Sequence, residues 1–168
     1  MKKLIRGIVE FRRNTQEGYR ESFGHLATGQ SPDALFIACS DSRVAPNTFA
    51  STNPGDLFVL RNVGNLIPPC GECNASSVGE AEGAAIEFSV QNLKVSDIIV
   101  CGHSECAAMH ALIADRKKVE TPILRGWLRH GEPALDRLKS GVVLDSSLTA
   151  QNQLSQLECG EKGVIFLV

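Results

Sequence analysis

The most informative stretch of the sequence is residues 34–43, which read ALFIACSDSR. The apolar run ALFIA is short and has no polar alternation, which predicts a β-strand buried on both faces. A thiol, a carboxylate and a guanidinium follow at alternate positions, as Cys39, Asp41 and Arg43. A buried structural cysteine followed by a polar turn would also explain this pattern, so the rest of the chain has to distinguish packing from chemistry.

Further strands and helices alternate along the chain. Short apolar runs at 57–62 (LFVLRN) and 95–102 (VSDIIVCG) predict two more buried strands. Helices are predicted over 80–93 and from Ser104 onward (SECAAMHALIAD). This order predicts an α/β fold, a parallel sheet with helices on its faces. With VIFLV at 164–168 as a last strand, we expect a central, mostly parallel sheet of about four strands.

The N-terminus predicts an amphipathic helix. Its apolar residues recur at helical spacing and are separated by charged residues; they are Leu4, Ile5, Ile8, Val9 and Phe11. The apolar side of this helix needs a surface to cover. From the length of 168 residues we expect a single domain over 1–168, with a helical arm at 1–28 and an atypical tail at 157–168.

Composition limits the partners and the compartment. With 17 basic and 19 acidic residues, the net charge of −2 gives no reason to expect nucleic acid or a membrane surface as partner. No apolar stretch is long enough to span a bilayer, and charges interrupt the apolar N-terminus, so we expect a cytoplasmic protein. Its six cysteines are then better explained as thiols and metal ligands than as disulfides.

The ends of two predicted strands carry metal-binding residue types. Cys39 follows the first strand, and His103 and Cys106 follow the third. Because ligands bind outside the carboxyl ends of parallel strands, we expect these side chains to meet. Two thiolates and one imidazole suit tetrahedral zinc and leave a fourth position open, as in catalytic zinc sites.

These motifs resemble the beta-class carbonic anhydrases. CSDSRV and GHSEC carry the resemblance, together with GQSP, PGDLFVLRNVGN and GAAIEF at similar spacing, over about 12–156. The resemblance implies a lyase that reversibly hydrates CO2 to bicarbonate and a proton with a zinc-bound hydroxide. It implies one Zn²⁺ per subunit, held by Cys39, His103 and Cys106. It also implies a homodimer or homotetramer in which the N-terminal helix packs on a partner subunit.

Asp41 and Arg43 are predicted to assist this chemistry. An ionised carboxylate only accepts hydrogen bonds, so Asp41 can orient the hydroxide, and Arg43 can hold Asp41 in a forked pair. In some members of the resembled family the aspartate instead becomes the fourth zinc ligand and closes the site. The simpler alternative is a helix-start charge with a surface ion pair.

The resemblance also implies a substrate pocket. Gln30 matches a residue whose amide donates to bicarbonate, and Phe58 and Phe88 match aromatic walls contributed across a dimer interface. On sequence alone both phenylalanines are ordinary core residues. Relatives inhibited by bicarbonate have Trp where this chain has Phe36, although Arg61 matches their arginine, so we expect the uninhibited type.

Some features leave other functions open. Cys70 and Cys73 form a C-x-x-C motif, which could be a redox pair, an accessory metal site or loop thiols. Zinc deaminases combine such a motif with H-x-E, but in the opposite order. His110, one turn beyond Cys106, is expected to be a surface or packing residue.

Two alternative functions follow from the same site. Members of the resembled family continue further after the equivalent of Gln156, so we expect a C-terminal part shorter than theirs. A zinc-binding but inactive homologue is therefore one alternative. The other is a hydrolase of carbonyl sulfide or carbon disulfide, which would use the same zinc site.

Overall fold

A computed structural model describes residues 1–69 and 80–140 of the chain. Several sequence predictions lie outside the described residues: the C-x-x-C motif of Cys70 and Cys73, the strand at 164–168 and the tail at 157–168.

The described part of the chain contains a three-stranded, fully parallel sheet. Its strands are β1 (Ala34–Cys39), β2 (Leu57–Asn62) and β3 (Asp97–Cys101), in the order β2-β1-β3. All residues of β1 are buried, as expected for a central strand covered on both faces. The predicted parallel α/β sheet is thus confirmed.

Helices precede the sheet, connect its strands and follow it. In the described residues they are α1 (Lys2–Glu10), α2 (Gln16–Leu26), α3 (Pro46–Phe49), α4 (Glu80–Glu87), α5 (Ala107–Asp115), α6 (Pro122–Trp127) and α7 (Glu132–Lys139). π-helical turns join α1 to α2 and extend α4 to Leu93. None of the described helices is long and apolar enough to cross a bilayer.

One predicted helix start was wrong. The helix expected from Ser104 begins at Ala107, because Glu105 has a left-handed backbone with φ of 54° and Cys106 is extended. The carbonyl of Glu105 accepts a hydrogen bond from the Arg43 side chain at 3.0 Å instead of joining a helix. The residues from His103 to Cys106 therefore form a loop above the sheet edge.

The core lies on both faces of the sheet. Phe36 and Ala38 of β1 pack in a cluster with Met109 and Leu112 of α5 and with Leu135 of α7. The other face carries a smaller cluster, formed by Leu35, Ile37 and Val100 and covered by Phe58 and Ile86. Cys39 and Cys106 belong to the larger cluster, which fixes both residues at the carboxyl edge of the sheet.

Candidate metal centre

Three potential metal ligands converge at the carboxyl edge of the sheet. Cys39 ends β1, and His103 and Cys106 lie in the loop between β3 and α5. Their ligand atoms all lie within 4.8 Å of one another, and the two Sγ atoms are 3.9 Å apart. No other group of three His, Cys, Asp or Glu side chains in the described ranges converges in this way. The structure therefore brings together the three residues that the sequence singled out.

The donor atoms fit a zinc ion. Nε2 of His103 is buried and has no hydrogen-bond partner among the described residues. Leaving such an atom unsatisfied costs about 1–3 kcal/mol, which coordination of a metal would remove. Two sulfurs and one imidazole nitrogen are ligands that zinc prefers, and three protein ligands leave a position for water or substrate.

The two cysteines are unequal in proton affinity. The pKa of Cys39 is lowered, chiefly by a hydrogen bond from the Cys106 thiol, with help from the backbone N–H of Gly64 at 3.4 Å. The same shared proton raises the pKa of Cys106, and burial raises it further. One thiolate is therefore already favoured, and a metal ion would displace the remaining proton.

Asp41 faces Arg43. Nε and Nη2 of Arg43 donate to Oδ1 and Oδ2 of Asp41 at 2.9 and 2.8 Å, and the Arg43 backbone N–H donates to Oδ1 at 2.9 Å. These bonds hold the pKa of Asp41 well below its usual range. The carboxylate is outside the group of converging ligand atoms. The arrangement thus keeps Asp41 ionised, beside the site but directed away from a ligand position.

Arg43 also joins the two ligand-bearing loops. Its Nη2 donates to the carbonyl of Glu105, the residue before Cys106. The Glu105 side chain in turn contacts Nε2 of His110 at 3.1 Å on the exposed surface. A cavity of about 390 Å³ lies beside this connection; its lining includes Arg43, Phe49, His103 and Ser104. This cavity gives solvent-sized molecules access to the edge of the ligand group.

Strand β2 contributes site contacts that the sequence reasoning missed. Arg61 donates from Nε to the carbonyl of Cys39 at 3.0 Å and from Nη2 to the carbonyl of Asp41 at 2.7 Å. Gly64 has φ of 83°, and a Cβ there would lie 2.8 Å from Cβ of Ala108, which explains the need for glycine. Position in the sequence could have indicated both residues: Arg61 lies near the end of β2 and Gly64 just after it, and β2 ends at the same sheet edge as β1.

The predicted substrate residues lie apart from the ligand group within one chain. Gln30 borders a separate groove of about 660 Å³, whose lining also includes Asn53 and Asp56. The rings of Phe58 and Phe88 contact each other, with centroids 5.7 Å apart, and Phe58 packs on the smaller core cluster. Their predicted role was across a dimer interface, so it stays a prediction.

Comparison with known proteins defines the class. Residues 34–162 match the family model for carbonic anhydrase. The chain is 40% identical over 166 residues to a carbonic anhydrase of Synechococcus elongatus, an alignment that covers 94% of this chain and 59% of that protein. It is 41% identical over 165 residues to a carbonic anhydrase of Synechocystis, covering 94% and 58%. The chain therefore spans less than two thirds of the length of these relatives.

Solved structures agree with this class. The beta-carbonic anhydrase CcaA matches with a TM-score of 0.77 at 38% identity, covering 95% of this chain and 68% of that one. A beta-carbonic anhydrase of Sordaria macrospora, described as tetrameric, matches with a TM-score of 0.74 at 27% identity, covering 94% and 77%. The parallel sheet with a Cys-His-Cys group at its carboxyl edge defines an α/β protein with side chains grouped as metal ligands are. More particularly, the chain belongs to the beta-class carbonic anhydrase family.

Proposed function

We propose that this chain is a zinc-dependent carbonic anhydrase that reversibly hydrates CO2 to bicarbonate and a proton. The observation that carries the proposal is the convergence of Cys39, His103 and Cys106 beside an aspartate that Arg43 holds away from them. Family membership supports the reaction type, and the donor set supports the metal.

Cys39, His103 and Cys106 would hold the zinc ion. When bound, zinc supplies Lewis acidity, which makes a water molecule acidic enough to act as a nucleophile near neutral pH. The hydrogen bond from Cys106 lowers the pKa of Cys39, which favours Cys39 as the thiolate of the pair. Cys106 would release its proton on metal binding, so zinc affinity should increase with pH.

Asp41 would orient the nucleophile. Because an ionised carboxylate only accepts hydrogen bonds, it would hold the O–H of the nucleophile and leave a lone pair facing the CO2 carbon. The proton that water loses to become hydroxide passes to solvent, and the hydroxide oxygen then bonds to the CO2 carbon while an electron pair moves to a CO2 oxygen, which gives bicarbonate. Arg43 keeps Asp41 charged and fixes both carboxylate oxygens through two parallel bonds.

A second subunit would complete the substrate pocket. The side chains of Leu4, Ile5 and Ile8 are exposed in the single chain, and no residue of α1 is buried. An apolar helix face of this kind is stabilised by packing on another surface. We propose a homodimer or homotetramer in which Gln30, Phe58 and Phe88 bind CO2 or bicarbonate near a partner's metal site. The tetrameric relative from Sordaria supports such assembly.

Stopped-flow CO2 hydration by zinc-loaded protein tests the proposed function. We expect zinc-dependent turnover, and we expect Cys39→Ser to lose both zinc and activity because one of only three protein ligands is removed. Full zinc occupancy with wild-type activity in Cys39→Ser would refute the site. A folded, zinc-loaded oligomer without turnover would favour the inactive homologue. Faster turnover of carbonyl sulfide or carbon disulfide than of CO2 would favour the hydrolase.

A further inference from the structure

We propose that Arg61 is a positioning residue for the metal centre: it holds the backbone of residues 39–41 so that Cys39 and Asp41 face their sites. The proposal rests on the proposed function, because it assigns a role within the same site. Both hydrogen bonds of the Arg61 guanidinium go to backbone carbonyls and not to the proposed ligand atoms.

The loop after β1 leaves the sheet at the point where its two functional side chains begin. The last backbone bond to β2 is the one from the Ser40 N–H to the Asn62 carbonyl at 2.8 Å. The flanking carbonyls of Cys39 and Asp41 both accept from the Arg61 guanidinium, at 3.0 and 2.7 Å. The side chain of Arg61 in β2 therefore continues the contacts between the two strands beyond Cys39, where β1 ends.

An arginine is suited to this position for a physical reason. Its guanidinium is planar and always charged, and it presents several N–H donors in a fixed geometry. Two carbonyls bound to one such plane are held at a set distance and direction from each other. Because those carbonyls lie on either side of Ser40, the directions of the Cys39 and Asp41 side chains become linked.

The remaining contacts of this loop show what Arg61 would protect. The Cys39 sulfur accepts from the Gly64 N–H, and the Asp41 carboxylate is fixed by Arg43. Both contacts act on side chains, whereas Arg61 acts on the backbone that carries them, together with the Val44 N–H, which donates to the Asp41 carbonyl at 3.0 Å. Removing Arg61 would take away the one side chain that binds both carbonyls, so the alignment of the thiolate relative to the carboxylate would be lost even though the Ser40 and Val44 backbone bonds remain.

Arg125 provides a matched control. It also donates from its guanidinium to a backbone carbonyl, that of Val119 at 3.1 Å, but it lies in α6 and contacts neither ligand-bearing loop. Arg61→Gln and Arg125→Gln therefore each remove a guanidinium that donates to a backbone carbonyl, but only Arg61 does so to residues 39–43, the metal loop.

The experiment measures metal binding as well as activity. Full-length wild type, Arg61→Gln and Arg125→Gln are titrated with Zn²⁺ against a chelator, and their Co²⁺ forms are compared by visible absorption. We expect Arg61→Gln to lose about tenfold or more in zinc affinity, as for other residues that orient ligands, and to show altered Co²⁺ bands. Arg125→Gln should keep the wild-type affinity and spectrum. With zinc at saturation, Arg61→Gln should also lower kcat, because Asp41 is misaligned.

The outcomes separate the two proposals. If wild type binds metal and hydrates CO2 while Arg61→Gln matches Arg125→Gln in affinity and spectrum, the inference is wrong and the function stands. If wild type binds no metal, both are overturned. Should Arg61→Gln fail to fold, Arg61→Lys serves instead: its single ammonium cannot reproduce the fork, so an altered Co²⁺ spectrum is expected. An unchanged affinity and spectrum in Arg61→Lys would overturn the inference.

Discussion

The metal loop after β1 and the N-terminal arm differ in how far one chain completes them. In the metal loop, residues 39–43, every contact comes from the same chain. Arg61 donates to the carbonyls of Cys39 and Asp41, the Gly64 N–H donates to the Cys39 sulfur, and Arg43 donates to the Asp41 carboxylate. In the arm, by contrast, α1 has no buried residue, and Ile5 and Ile8 are 57% and 49% exposed. One chain thus supplies all three proposed metal ligands by itself, whereas we expect turnover to need an assembly.

The largest effect is expected from the arm. Leu4→Glu with Ile8→Glu places two charges one turn apart on the exposed apolar face. If this face packs on a partner, each change removes about 1.5–3 kcal/mol of apolar burial and adds the cost of burying a charge. We expect monomers by light scattering, near-complete loss of CO2 hydration, and retained zinc.

Arg6→Glu is the control for the arm, because it adds the same charge to α1 at a residue that is already charged. It should leave the oligomer intact. A fully active monomer of the double variant would contradict the expectation that turnover needs an assembly, since the substrate residues would then not need a partner subunit.

A smaller effect is expected from Asp41→Asn in the metal loop. The amide keeps the shape of the carboxylate but loses its charge and turns an acceptor into a donor, which cannot face the Arg43 guanidinium. We expect kcat/KM for CO2 to fall about 100-fold, the lower range for a group that handles the reacting proton. Zinc content should not change, because Asp41 lies outside the converging ligands.

A different result for Asp41→Asn would indicate a closed site, in which Asp41 is the fourth zinc ligand. If the aspartate spends most of its time as a fourth ligand, its replacement should weaken zinc binding or raise the activity. Zinc content and stopped-flow rates, measured on the same preparation, distinguish the two arrangements. Asp41→Glu can be compared with Asp41→Asn, because it keeps the negative charge but moves it by one methylene.

Sequence reasoning succeeded for features that depend on local pattern. The run ALFIA predicted a strand at 34–38, and β1 is one residue longer because it includes Cys39. The run LFVLRN at 57–62 coincides with β2. It failed at the start of α5, where Glu105 leaves the helical region because its carbonyl binds Arg43. It also assigned no positioning role to Arg61, whose contacts depend on the register that sets Ala38 opposite Arg61. Contacts between strands distant in sequence leave no local periodic signal.

The smallest effect is expected from an ion pair outside both regions, which gives a baseline for the comparison. Nε of Arg116 donates to Oε1 of Glu132 at 2.6 Å, and the pair lowers the pKa of Glu132. Because the folded-state pKa is the lower one, the pair stabilises the fold above the unfolded-state pKa of the carboxyl, and this contribution is lost as pH falls through the folded-state value.

The Glu132 side chain is 43% exposed, so screening limits the gain to roughly 0–1 kcal/mol. Glu132→Gln should therefore lower the free energy of unfolding by less than about 1 kcal/mol at neutral pH, with a difference that shrinks in acid, in denaturant titrations. Zinc affinity should be unchanged; a loss comparable to that of Arg61→Gln would show that metal binding responds to the stability of the fold in general, and not to the contacts of the metal loop.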